Sequence, residues 1–368
     1  MPDEVEIRER IAGLEDPAIG RSLGELGLLG SVHVDGATVR VEVSVPSEDY
    51  PLRDRLDARI REAAGAEPGI ENVEVSIGVL DDAGVHALAE MLRGGSPGAG
   101  ESGVNPFTNA STRVLAVSSG KGGVGKSSVS ANLAVALARA GHDVAVVDAD
   151  VWGFSMPRML GIDRPPTLVD DLIVPPSAHG VRLISMGFFA REDQPIIWRG
   201  PMLHKALEQF LTDVYWGEPD FLVVDMPPGT GDISMSMAEF LPRAEVLVVT
   251  TPQPAAQRVA QRAAYMARKV DLSVVGVIEN MSWFRGDDGK AYDLFGSGGG
   301  ADLAAELDVP LLGQVPLVPE LRAGADEGRP IVAAHPEDEA SIVFAEIARR
   351  VSDELRPSKV FKSELRIV

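Results

Sequence analysis

Gly120-Lys121-Gly122-Gly123-Val124-Gly125-Lys126-Ser127 has the residue types and spacing of a loop that wraps phosphate. Glycines let successive backbone N–H groups converge on phosphate oxygens, and a helix start adds partial positive charge. Lys126 is placed to reach β- and γ-phosphates and Ser127 to hold Mg²⁺ through its hydroxyl, with Ser128 as the last member of the cofactor-binding run. The G-x-x-x-x-G-K-[ST] pattern has meaning only between a strand and a helix. Residues 113–117 read as a buried strand, and 128–140 form an Ala/Val/Leu-rich run closed by Gly141, as a helix stopped by a C-terminal glycine. The expected ligand is ATP or GTP; an unliganded glycine-rich turn would leave the fit of the whole loop unexplained.

Lys121 stands too early in the loop to duplicate Lys126 on one nucleotide. Its ammonium is expected to cross a dimer interface and stabilise charge on the partner's nucleotide, as an arginine finger does in trans; the alternative is a solvated surface lysine. Two further strands end in carboxylates. Residues 143–150, Asp-Val-Ala-Val-Val-Asp-Ala-Asp, place Asp150 to orient water or join the Mg²⁺ shell. Residues 221–225, Phe-Leu-Val-Val-Asp, place Asp225 as the Walker-B acid, followed by a Pro/Gly-rich run suited to sensing the γ-phosphate. Single strand-end acids often cap helices. Three such motifs in this order argue for one site, with Lys121, Lys126, Asp150 and Asp225 catalytic and Ser127, Asp150 and Asp225 on Mg²⁺.

The segments GKGGVGKSS (120–128), VVDADVWG (146–153), WRGPM (198–202), LVVDMPPGTGD (222–232), TTPQPAA (250–256) and VIENMS (277–282) together resemble the Mrp-type, ApbC-like ATPases, deviant-Walker relatives of MinD and ParA. The resemblance implies a slow ATP hydrolase working as a homodimeric switch, with Lys121 the signature lysine, Asp150 in switch I and Asp225 heading switch II. It further implies that Asn280 reads adenine and that residues 314–319, Pro316 among them, complete the base pocket. A strand-end turn is the alternative reading of Asn280.

These motifs need a mostly parallel α/β sheet with helices on both faces, the nucleotide lying at the strands' C-terminal ends. Hydrophobic runs at 113–117, 144–148, 221–225, 245–250 and 273–278 alternate with helical stretches at 203–211 and 255–269, and 338–355 closes the domain. Gly296-Ser297-Gly298-Gly299-Gly300 lacks a Lys-Ser ending and reads as a flexible turn into a helix near Ala301. Upstream, a helix at 4–14, strands at 31–34 and 38–45 around Asp35-Gly36, a helix at 52–64 and a strand at 73–79 make a small α+β domain. With Leu14-Glu15-Asp16-Pro17 and Leu26-Gly27-Leu28-Leu29, it is similar to the iron-sulfur-assembly domain found ahead of Mrp proteins. The expected division is 1–92, a Gly/Ser/Pro-rich linker at 93–110, the ATPase at 111–356 and a polar tail at 357–368.

At 368 residues the chain exceeds the size at which one core stops growing. A net charge of −21 disfavours nonspecific nucleic-acid binding. No uncharged run is long enough to span a membrane, and the charged start, MPDEVEIRER, is no secretory signal, so a cytoplasmic protein is expected.

The resemblance implies an iron-sulfur cluster carrier whose partners are assembly or recipient apoproteins, yet the chain contains no cysteine. Clusters are held by thiolates, with histidine a partial substitute. The six histidines are scattered, and Ser282 to Lys290 offers Asp287 and Asp288 where many relatives carry C-x-x-C. Those acids are expected to be a solvated turn, the alternative being a weak hard-cation site. Two functions remain open: an ATPase of iron-sulfur assembly, or an ATP-gated switch of MinD type moving another cargo.

Overall fold

A computed structural model describes residues 3–94, 105–108, 111–150, 153–189, 200–229 and 233–355. Most of the expected linker, Val151-Trp152, Trp198-Arg199, Thr230-Gly231-Asp232 and the tail lie outside the described residues. The chain forms two units: Met1–Val104 with Arg164–Pro176 and Asp213–Gly217, and Asn105–Asp163 with Ser177–Thr212 and Glu218–Val368.

The first unit begins with α1 (Glu4–Ala12), whose orphan N–H groups at Val5 and Glu6 are accepted by the Asp3 carboxylate. β1 (Leu29–Asp35) and β2 (Thr38–Val45) pair antiparallel, α2 (Arg53–Gly65) crosses over, and β3 (Asn72–Val79) returns parallel to β2. The turn between β1 and β2 is Gly36-Ala37, with Gly36 at φ 62°, as a two-residue hairpin requires. In β2, Val39, Val41, Val43 and Val45 are buried while Arg40 and Glu42 are exposed, so the period of two seen in the sequence points one face at Ile7, Ile11, Leu56 and Ile60. α3 (Asp82–Gly94) was not expected, and it takes in the first two residues of the predicted linker. Its buried Leu88, Ala89 and Leu92 follow helical spacing. Asp16 is fully buried, and its Oδ1 accepts from the backbone N–H of Ala18 and Ile19, each at 2.9 Å, and from the Tyr50 hydroxyl.

The second unit opens with β4 (Arg113–Ser119), α4 (Lys126–Arg139), β5 (Val144–Asp148) and the short α5 (Met156–Met159). β6 (Thr167–Val169) and β7 (Leu172–Val174) form a hairpin belonging to the first unit, where Val169, Leu172 and Val174 join that core. The second unit resumes with β8 (Ser177–Ala178), β9 (Val181–Ser185), α6 (Gly200–Thr212), β10 (Phe221–Asp225), α7 (Ile233–Phe240), β11 (Glu245–Thr250) and α8 (Pro254–Lys269). β12 (Ser273–Asn280), the small hairpin β13 (Phe284–Arg285) and β14 (Ala291–Tyr292), α9 (Gly299–Leu307) and β15 (Leu311–Val315) follow. α10 (Pro319–Glu327), α11 (Ile331–Ala334) and α12 (Glu339–Arg349), capped by Asp338, complete it, with one π turn over Arg350–Glu354.

The main sheet has eight strands in the order β15-β12-β11-β4-β10-β5-β9-β8, all parallel except β8. Every residue of β5, β10 and β11 is buried, the mark of strands covered on both faces. β4 lies between β11 and β10; the chain leaves β4 past β10 to β5 on one side and later runs from β10 past β4 to β11 on the other, so the direction of winding reverses here and opens a crevice beyond the C-terminal end of β4. The five strands expected from apolar runs all form, and β4 and β12 each extend two residues further.

Candidate nucleotide site

The loop after β4 occupies that crevice. Gly123 and Gly125 have φ of 81° and 78°, in the left-handed region where a side chain costs energy, and α4 begins at Lys126 rather than Ser128. Two glycines are demanded by close approach. A Cβ on Gly120 would stand 2.1 Å from the Val259 carbonyl carbon, and one on Gly125 would stand 2.2 Å from Asn280 Nδ2. The loop therefore rests on α8 on one side and on the end of β12 on the other.

A cavity of about 370 Å³ is lined by Ser119, Lys121, Gly122, Gly123, Gly125, Lys126, Ser127, Ser128, Asp150, Gly153, Ser155, Met159 and Pro228. Lys126 is 6% exposed and its Nζ lies 2.7 Å from Asp225 Oδ2 and 3.6 Å from Asp150 Oδ2. Asp225 Oδ2 also accepts from Ser127 Oγ at 2.6 Å, and its Oδ1 accepts from Ser130 Oγ at 2.6 Å. Lys126, Ser127, Asp150 and Asp225 are thus brought together as their spacing predicts. A hydroxyl beside a carboxylate suits Mg²⁺, which takes one or two carboxylates and completes its shell with water and phosphate oxygens. Among the described residues no group of three or more His, Asp or Glu could hold a metal by itself.

Lys121 lines the same cavity, and its ammonium makes no hydrogen bond or ion pair among the described residues. Asn280 is 3% exposed and does not line the cavity. Its Nδ2 donates to the Val124 carbonyl at 2.9 Å, which ties the end of β12 to the phosphate loop. Pro316 is buried just after β15 and likewise does not line it.

Several contributors carried no role in the sequence reading. Asp148 is fully buried; its Oδ1 accepts from Asp150 N at 3.2 Å, and its Oδ2 from Ser185 Oγ at 2.9 Å and from Ser155 and Met156 N at 3.3 Å each. It binds both ends of the segment that carries Asp150. Burial, and then the charge of Asp225, push its carboxyl up to about 7. Ser130 follows Ser127 by one helical turn, a spacing that signals a shared face. Ser185 lies on an adjacent strand and leaves no local signal.

The acidic stretch after β12 is a closed hairpin. Asp288 accepts from Tyr292 Oη at 2.8 Å and from Lys290 N at 3.1 Å, and Arg285 holds Glu339 at 2.7 Å. The glycine run at 296–300 is a turn into a helix, as expected: Gly296 and Gly298 have φ of 84° and 81° with nothing within 4 Å of a Cβ, whereas α9 starts at Gly299, and Gly299 and Gly300 are buried with no space for a Cβ.

The family described as NUBPL iron-transfer P-loop NTPase matches residues 110–352, and an iron-sulfur cluster assembly protein family matches residues 4–77. A protein of Mycobacterium leprae named iron-sulfur cluster carrier protein is 45% identical over 331 residues, covering 88% of this chain and 85% of the relative. Among solved structures, a nucleotide-binding protein from Archaeoglobus fulgidus in complex with ADP matches with TM-score 0.52 and 32% identity, over 59% of this chain and 87% of that one. The septum site-determining protein MinD from Pyrococcus horikoshii, complexed with Mg-ADP, matches with TM-score 0.51 and 25% identity, over 66% of this chain and 97% of that one.

Proposed function

The chain belongs to the NUBPL iron-transfer P-loop NTPase family, and from that membership we propose that it is a slow ATP hydrolase serving iron-sulfur cluster transfer. The observation that carries the nucleotide reading is the ammonium of Lys126 held between Asp225 and Asp150 at the mouth of the glycine loop. Lys126 receives the β- and γ-phosphates, and Asp150, steadied by Asp148, orients water. Mg²⁺ held by Ser127 and Asp225, with Asp150 nearby, would neutralise charge on the phosphate oxygens. The Val124 carbonyl needs a donor, so Asn280 turns its Nδ2 there. Its Oδ1 accepts nothing from the described residues and remains for the 6-amino group of adenine, whereas guanine would offer a second acceptor at that position. Pro316 completes the base pocket.

Lys121 acts in trans within a homodimer that closes on ATP and reopens on hydrolysis as the Asp150 and Asp225 segments let go. K121A is expected to keep most of its ATP affinity while turnover falls by about 10³ or more, the scale of a lost finger residue. A variant that hydrolyses ATP normally as a strict monomer would disprove the crossing lysine. K126A is expected to weaken ATP binding itself by at least about tenfold, since a charge-assisted contact is lost.

The cluster is cargo, and a chain without cysteine supplies no thiolate for it. We infer that a partner, an assembly protein or the recipient apoprotein, contributes the ligands, in the cytoplasm where ATP is available. Anaerobic reconstitution with iron and sulfide, then iron quantitation and activation of a cluster-requiring apoenzyme, tests this. Iron retained only with a thiol-bearing partner, and ATP-dependent activation, are the expected results. Failure to stimulate any cluster-requiring enzyme would favour the second reading, a MinD-like switch for other cargo, to which the missing thiols also point.

A further inference from the structure

Glu279 is fully buried at the end of β12, directly before Asn280, and takes no part in the chemistry described above. Among the described residues it has no cationic partner; its carboxylate is met by neutral donors from three places. Oε1 accepts from Ser282 Oγ at 2.8 Å and from Gln314 Nε2 of β15 at 2.7 Å, and Oε2 accepts from the N–H of Gly300 in the first turn of α9. A buried polar group is tolerated only where hydrogen-bond partners meet it, as these donors do, and one of them lies at the positive end of a helix. Gly300 is required for this contact: a Cβ there would stand 2.6 Å from Glu279 Cβ. The end of the glycine run at 296–300 is thus the receptor for an internal carboxylate.

The clasp surrounds a strained turn. Met281 has φ 57°, a conformation that costs a non-glycine residue energy and persists where its surroundings fix it. Ser282 N donates to Val315 O at 3.0 Å, and Asn280 Nδ2 reaches the phosphate loop at Val124 O. Glu279 therefore joins β12, β15 and α9 at the one turn from which Asn280 projects.

We propose that Glu279 is the positioning residue of the base pocket: its carboxylate fixes the 279–282 turn against α9 and β15, so that Asn280 presents its amide oxygen to the base. This rests on the reading of Asn280 as the adenine-recognising residue. In E279Q the side chain keeps its size but turns an NH₂ toward donors, setting donor against donor where Gly300 N–H or the Ser282 and Gln314 donors now bind.

Calorimetric titration of the full chain with ATP, GTP and tripolyphosphate separates base from phosphate recognition. E279Q is expected to bind ATP about tenfold more weakly with a compressed ATP-to-GTP ratio, while tripolyphosphate, which has no base, stays within about twofold of wild type. Q314M, which removes one donor and keeps the carboxylate, shifts the ratio in the same direction by less and decides the matter if E279Q does not fold. A folded E279Q with the wild-type ratio, a Q314M without effect, or a tripolyphosphate loss equal to the ATP loss would overturn the proposal. N280A marks the premise: an unchanged ratio there refutes the base-pocket reading itself, whereas a collapsed ratio in N280A beside an intact one in E279Q refutes only the role of Glu279.

Discussion

Asp225 answers three donors with two oxygens, and one of them, Ser130 Oγ, sits on the helix behind the loop rather than in it. S130A leaves Oδ1 of a fully buried carboxylate without that partner, so a stability loss of about 1–3 kcal/mol is expected from chemical denaturation. The first unit offers a pH test. Burial, followed by the charge of Asp16 and the hydrogen bond to it, holds the Tyr50 phenol far above its ordinary range. The folded state keeps the neutral phenol while the unfolded chain ionises near pH about 10. The stabilisation is therefore complete below that pH and is lost as pH rises beyond it. Melting temperatures of wild type should fall more steeply between about pH 9 and 11 than those of Y50F, which is less stable but has no phenol to ionise; equal slopes would count against the pairing. Asp16 and Tyr50 are both visible in the sequence, but nothing in their spacing of 34 residues shows that they meet.

Between elements, the closest approach of a glycine to backbone among the described residues is that of the glycine loop against α8. G120A would drive a methyl into the Val259–Ala260 backbone and is expected to cost about 1–3 kcal/mol or more, whereas Gly122 has nothing within 4 Å of a Cβ and G122A should melt close to wild type. Thermal melts of the two nucleotide-free variants compare them directly. Central strands were legible because a strand buried on both faces is a continuous apolar run with turn residues at its ends. β9 and β15 were not, since Val181–Ser185 and Leu311–Val315 mix apolar residues with Arg182, Gly313 and Gln314. α3 had a readable signal in Leu88, Ala89 and Leu92, but the glycines and proline that follow drew attention to a linker instead.

For the whole molecule, a charge of −21 opposes the phosphate backbone of DNA. Fluorescence anisotropy with a labelled duplex at about 0.1 M salt should register no binding, with or without ATP. No helix of the described residues is long and apolar enough to cross a membrane. Nucleotide should raise the melting temperature in proportion to the logarithm of its concentration, because only the folded site binds it. Absence of such a shift with ATP would contradict the nucleotide site outright.

The sequence alone pointed to the candidate phosphate site, because its signal is local: a loop, its lysine and its serine are contiguous, Asp225 ends a strand and Asp150 follows one by two residues, and the apolar run of each strand announces it. It also determined the want of a thiol, which no fold can supply. Only the tertiary structure decided what those residues lean on. Asp148 gathers the ends of the Asp150 segment, Asn280 holds the loop from 156 residues away, and Glu279 finds its donors on Gly300 and Gln314. Hydrogen bonds between residues distant in the chain depend on strand order and register, and no short-range pattern encodes the pairing of a buried acid with its donors.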